Sequence, residues 1–111
     1  MYDVEVTVEK VGGAAGGSNS PALAAYLEAQ ADKLGIFSRV VGECAFGASE
    51  DFSYFMERVQ ARGGEAAYMM VGADLAAGHH DARFTFDEAA LPYAVKIMAA
   101  ATVGLLRGEK G

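Results

Sequence analysis

The stretch Gly78-His79-His80-Asp81-Ala82-Arg83-Phe84-Thr85-Phe86 holds both histidines of the chain. It lies between an apolar run and a long helical pattern. Two adjacent imidazoles in a glycine-led loop suit metal ligation, acid–base work or a polar turn. Neutral imidazole is a good zinc ligand, and a loop just past a buried strand is a suitable place to hold one rigidly. A catalytic zinc takes about three protein ligands and keeps an open position for water. Neighbouring side chains of one loop project differently, so His79 and His80 are alternatives for one ion rather than joint ligands. Asp74, Asp81, Glu50 and Asp51 are the acids that could complete a set, yet none stands at a dedicated spacing such as His-x-x-x-His. On its residues alone, the pair reads more readily as a polar or hydrogen-bonded turn than as a metal site.

A second informative stretch is Gly47-Ala48-Ser49-Glu50-Asp51-Phe52. Ser49 can cap a helix, and Glu50 and Asp51 would then occupy its positive first turn, which is favourable for helix-dipole reasons alone. A small-residue turn at the carboxyl end of a strand is also where α/β sheets bind ligands, so a cleft role stands beside the structural one. A nucleophilic Ser49 would need a histidine base within reach, and the spacing does not supply one. Cys44, the lone cysteine, reads as packing material, having no recognisable base nearby.

The elements that must position these residues follow from periodicity. Between Tyr2 and Val11, Val4, Val6 and Val8 alternate with polar residues, the pattern of an edge or antiparallel strand with one wet face. The turn Gly12-Gly13-Ala14-Ala15-Gly16-Gly17 fits the dinucleotide fingerprint poorly and reads as a flexible crossover. Ser20-Pro21 starts a helix, with the serine oxygen as cap and proline at the first helical position. Leu23, Tyr26, Leu27, Ala31 and Leu34 share its core face, and Gly35 closes it. A second strand is expected within residues 36–46, and a buried one at Ala66 to Gly72, just before the histidine loop. Between them a helix presents Phe52, Phe55, Met56 and Val59 to the core and ends at Gly63-Gly64. The last helix opens after Asp87, tolerates Pro92 in its first turn, and carries Leu91, Val95, Met98, Thr102 and Leu105 on one side. Strands alternating with helices predict a small α/β unit of two or three layers with some parallel pairing.

The 111 residues, 52% hydrophobic and 22% charged, fit one soluble globular domain with a modest core. A net charge of −6 argues against nucleic acid or an anionic membrane surface as partner, because both need a basic face. The apolar stretch from Tyr93 to Leu106 is shorter than the roughly 20 residues of a membrane span and contains Lys96. No signal-peptide pattern is present and one cysteine forms no intrachain disulfide, so a cytoplasmic setting is expected.

Taken together, Gly47 to Phe55, the apolar Met70-Val71-Gly72, His80 four residues before Phe84, Phe86-Asp87-Glu88, and Ala90-Leu91-Pro92 resemble the C-terminal part of the dizinc aminoacylase and carboxypeptidase family of amidohydrolases. Within that family the likeness is greatest to its aminobenzoyl-glutamate-hydrolysing branch. The resemblance implies a zinc-peptidase-like catalytic α/β domain interrupted by a lid domain that mediates dimerisation. Residues 1–11 then correspond to the last lid strand, 12–20 to the glycine-rich crossover, and 21–111 to the C-terminal part of the catalytic domain. It further implies His80 as a metal ligand with His79 in reserve, and Ser49 and Glu50 as groups that line the cleft or position substrate.

The implied reaction is hydrolysis of the amide between an acyl or aroyl group and an amino acid. Two zinc ions, or another divalent metal such as manganese, would activate water for it. The family's cysteine-and-histidine metal motif, its paired glutamates and its middle histidine ligand have no counterpart in these residues. The chain alone is therefore expected to be inactive. The expected partners are the N-terminal remainder of its own catalytic domain, an identical or related protomer, and a small acyl-amino acid substrate. Ala82 stands where the family often has proline, which implies a less rigid loop. The competing expectation, from a different class, is a non-catalytic α/β interaction module with structural histidines.

Overall fold

The computed structural model describes residues 3–45, 47 and 50–110, and within them the regular elements are three helices. Helix α1 spans Pro21–Leu34, α2 Phe52–Ala61 and α3 Ala90–Leu106.

The boundaries of α1 follow its punctuation. Ser20 is extended (φ −63°, ψ 121°), Pro21 takes the first helical position, and Gly35 sits in the left-handed region at φ 61° with its N–H donated to the Asp32 carbonyl at 3.1 Å. Tyr26 and Ala31 are buried and Leu23, Leu27 and Leu34 half-buried, which is the expected face. The expected cap is corrected: Ser20 Oγ makes no capping bond to α1 and is engaged elsewhere, as described below.

In α2 the expected acidic first turn is displaced, since Glu50 and Asp51 precede the helix and their carbonyls accept from Ser53 N–H (3.0 Å) and Tyr54 N–H (3.1 Å). Ser49 lies outside the described residues. The expected core face is only partly realised. Met56 is 2% exposed and Ser53 is buried with it, whereas Phe52, Phe55 and Val59 remain exposed. The buried pair meets the glycine-rich crossover, where a Cβ on Gly17 would lie 3.1 Å from Ser53 Oγ and 3.6 Å from Met56 Sδ. That close approach accounts for glycine in the turn without invoking a phosphate.

Helix α3 buries a different face from the one its largest residues suggested. Ile97, Ala101 and Gly104 are inside, at i, i+4 and i+7, while Leu91, Val95, Met98 and Leu105 are exposed. The reason is the partner: α3 packs on α1, and Tyr26 donates its hydroxyl proton to the Ala101 carbonyl at 3.0 Å. The same hydroxyl, with the Glu109 carboxylate beside it, leaves no room for a side chain on Gly104. Small residues therefore mark the contact line. Burial, with Glu109 nearby as a lesser cause, pushes the Tyr26 phenol above its usual range.

No strand ladder forms among the described residues; the single pairing is an antiparallel bridge between Leu75 and Phe86. The strands expected within Tyr2 to Val11, residues 36–46 and Ala66 to Gly72 thus carry no sheet here, and Tyr2 and Phe46 lie outside the described residues. A strand exists only through a neighbour's hydrogen bonds, and the alternating valines Val4, Val6 and Val8 have none to pack on: they are 69%, 73% and 88% exposed.

Part of the Ala66 to Gly72 segment is paired by side chains instead. Tyr68 N–H donates to Asn19 Oδ1 (2.7 Å) and Asn19 Nδ2 donates to the Tyr68 carbonyl (3.0 Å), so one amide imitates a neighbouring peptide group. Ala66 N–H donates to Ser20 Oγ (3.0 Å) and Ser20 N–H to the Ala66 carbonyl (2.8 Å). Gln60 Nε2 ties α2 to the same place through the Ser18 carbonyl (2.9 Å) and Ser20 Oγ (3.1 Å). This clasp is where the Ser20 hydroxyl is used.

Candidate functional site

The histidine loop is a closed hairpin. Asp87 N–H donates to the Asp74 carbonyl at 3.0 Å and Ala76 N–H to the Thr85 carbonyl at 3.1 Å, on either side of the Leu75–Phe86 bridge. These bonds join the end of the Ala66 to Gly72 segment to the start of α3. The carboxylate of Asp87 then accepts from Ala89 N–H at 2.9 Å, turning the chain into that helix.

At the hairpin's tip, Asp81 N–H donates to the Gly78 carbonyl at 3.2 Å, which makes His79 and His80 the two central residues of a β-turn. His80 has φ 67° and is the one non-glycine residue at positive φ among those described. A positive φ confined to the third position is the type II pattern, which normally calls for glycine. Holding a Cβ-bearing residue there costs about 1–2 kcal/mol. Such a cost at an exposed loop position points to a functional constraint on the side chain.

The two imidazoles differ in their surroundings. His79 stacks on Phe84 with centroids 5.3 Å apart and planes 29° apart, and Phe84 in turn meets Phe86 at 6.5 Å. His80 is exposed, with no hydrogen bond, ion pair or ring contact among the described residues. Stacking fixes one ring; the other is left available as a ligand.

Asp81 and Arg83 supply the rigidity that Ala82 does not. Asp81 Oδ1 accepts from Arg83 N–H at 2.8 Å and from Nε at 3.1 Å, while Oδ2 accepts from Nη2 at 3.0 Å. The forked pair holds the Asp81 carboxyl below the usual carboxylate range, with the Arg83 side-chain bonds as the main cause and its backbone N–H second. This clasp is a feature of the loop that the sequence reading missed. The signal in the sequence was Asp two residues before Arg in a turn, which is readable as an Asx-turn with a fork.

Of the two cleft candidates, Ser49 lies outside the described residues. Glu50 is half-buried ahead of α2 and shares no hydrogen bond or ion pair with either histidine. No group of three or more His, Cys, Asp or Glu side chains able to hold a metal occurs among the described residues. A groove of about 500 Å³ opens at the hairpin's foot, lined by Arg39, Asp74, Asp87 and Tyr93 among others, and neither histidine borders it. His80 thus offers one available imidazole on a pre-formed turn, a donor of the type zinc takes, and the described residues supply no full ligand set around it. No described helix is long and apolar enough to cross a membrane.

Comparison with known proteins shows what the chain is similar to. The chain is 40% identical over 100 residues to a p-aminobenzoyl-glutamate hydrolase subunit of Escherichia coli, covering 89% of this chain and 23% of that protein. It is 37% identical over 100 residues to indole-3-acetyl-aspartic acid hydrolase of Enterobacter agglomerans, again 89% of this chain and 23% of the relative. A homolog of the same p-aminobenzoyl-glutamate hydrolase subunit, from Haemophilus influenzae, is 37% identical over 105 residues, or 95% of this chain and 25% of the relative. The chain therefore spans about a quarter of the length of the curated relatives it matches. No solved structure matches it. Residues 2–103 match the family described as Peptidase family M20/M25/M40, and the chain belongs to that family.

Proposed function

We propose that this chain is the C-terminal part of a metal-dependent amidohydrolase that cleaves the amide between an acyl or aroyl group and an amino acid, of the aminobenzoyl-glutamate type. The observation that carries the reading is His80: an unpartnered imidazole held at φ 67° on a closed hairpin, in a chain of the M20/M25/M40 peptidase family. The names of the relatives, two of them for p-aminobenzoyl-glutamate hydrolase and one for indole-3-acetyl-aspartic acid hydrolase, support the substrate class.

In this proposal residues 1–11 are the last strand of the lid domain, 12–20 the crossover, and 21–111 the closing part of a layered catalytic α/β domain. The segments 2–11, 36–46 and 66–72 become strands when the rest of the polypeptide provides their neighbours. His80 is one ligand, with His79 in reserve, while Ser49 and Glu50 line the cleft. Zinc, as two ions in the whole enzyme or replaced by manganese, supplies Lewis-acid polarisation of the amide carbonyl and a lowered pKa for water. The part played by this chain is to present an imidazole from a turn whose backbone is held in one conformation. The hairpin bonds, the Asp81–Arg83 fork and the His79–Phe84 stack together restrict how the loop can turn. By itself the chain lacks the further ligands and the general base and is inactive. Its partners are the preceding part of its own polypeptide and a second protomer, identical or related, in a cytoplasmic setting. Two of the relatives are named as subunits, which supports an assembly.

The test is made in the full-length protein. His80→Ala is expected to remove a large share of the bound zinc and to lower aminobenzoyl-glutamate hydrolysis by at least about 100-fold, as loss of a metal or activated-water contact does. His79→Ala is expected to retain the metal. Zinc content and turnover unchanged by His80→Ala would sink the proposal.

A further inference from the structure

We infer that Arg83 determines specificity, its free guanidinium edge receiving the side-chain carboxylate of an acidic amino acid in the substrate. The inference rests on the amidohydrolase reading above, with His80 as metal ligand.

A guanidinium presents five N–H donors along more than one edge, and each edge can take a carboxylate in two parallel bonds. In this chain Asp81 uses one edge, through Nε (3.1 Å) and Nη2 (3.0 Å). The Nη1 group and the second N–H of Nη2 have no partner among the described residues, and the Arg83 side chain is 83% exposed. A flexible surface arginine would lose rotamer freedom on binding an anion. Here the fork to Asp81 has already restricted the side chain, which lowers the cost of recognition.

Placement supports the assignment. Arg83 is the only lysine or arginine between Asp74 and Asp87, the two ends of the hairpin. It follows His80 by three residues, so their Cα atoms lie within about 11 Å by chain length alone. An arginine arm and a glutamyl or aspartyl side chain together span such a gap. Arg83 is also the lysine or arginine nearest in sequence to His80, the next being Lys96. A neutral amide in place of the substrate's carboxylate would forfeit the charge-assisted pair while keeping its shape.

The experiment compares aminobenzoyl-glutamate with aminobenzoyl-glutamine, which keeps the α-carboxylate and has an uncharged isosteric side chain, in the zinc-loaded full-length protein. The wild type is expected to prefer glutamate, and Arg83→Gln to lower that preference in kcat/KM at least tenfold, mainly through KM. Arg83→Lys should keep part of it, and Asp81→Asn, which loosens the fork while leaving the cation, should lower it to an intermediate value. An active Arg83→Gln protein with an unaltered preference overturns the assignment of Arg83 alone. A zinc-loaded wild type that hydrolyses neither amide overturns the amidohydrolase reading and this inference with it.

Discussion

His80 combines a backbone that favours glycine with a side chain that glycine lacks. Relief of the left-handed strain by His80→Gly is worth about 1–2 kcal/mol. The larger conformational freedom of glycine in the unfolded chain takes back about 0.4–1 kcal/mol. His80→Gly is therefore expected to be more stable than wild type by roughly 0.5–1 kcal/mol, read as a higher urea midpoint, while its zinc affinity falls. His80→Ala retains the strain and gains nothing. A Gly variant with a lower midpoint would show that φ 67° is not strained in this turn. The same residue explains why the loop needs Asp81 and Arg83: a turn held against its preference requires bonds that over-determine it, and three of them converge on the Asp81 carboxylate.

At the scale of elements, the α1–α3 contact depends on what α3 omits. Tyr26 reaches across to the Ala101 carbonyl, and its hydroxyl, with the Glu109 carboxylate beside it, occupies the space where a residue-104 side chain would sit. Two effects oppose each other in Gly104→Ala. Alanine is the better helix former by about 1 kcal/mol. Overpacking against a tyrosine that is anchored by a buried hydrogen bond costs about 1–3 kcal/mol. Since the tyrosine cannot move without losing its acceptor, the packing cost is the larger, and Gly104→Ala is expected to destabilise by roughly 1 kcal/mol net. A lower melting temperature of the helical circular-dichroism signal checks it. An unchanged or higher value would mean that the helices part at little cost.

The whole molecule is extended, 64 × 41 × 19 Å with a radius of gyration of 18.7 Å. A compact domain of about this length has a radius nearer 13 Å. Among the described residues the buried apolar core is small: Tyr26, Ala31, Met56, Ile97 and Ala101. Phe52, Phe55, Val95, Met98 and the valines from Val4 to Val11 face outward, forming more apolar surface than an isolated domain usually leaves uncovered. Isolated in solution, the 111-residue chain is therefore expected to associate, its mass by light scattering rising with concentration as exposed edges and apolar faces find one another. A constant monomer mass across concentrations would contradict this.

The sequence by itself determined the local features. Pro21 and Gly35 delimit α1, Gly63-Gly64 ends α2, and Pro92 falls in the first turn of α3, because capping and φ preferences act within a few residues. The family was also legible, in the order and spacing of the motifs around Ser49 and His80. The tertiary structure alone decided which helix faces are buried. Ala101 and Gly104 lie inside and Leu91 and Val95 outside because Tyr26 needs a close neighbour, a requirement that no periodicity within α3 expresses. It likewise decided that Ser20 pairs with Ala66 rather than capping its own helix, a bond across 46 positions. The histidine pair shows the division most clearly. Spacing placed both rings in one loop, but their different fates came from a left-handed φ at His80 and from Phe84 stacking on His79, which exist only once the hairpin has closed.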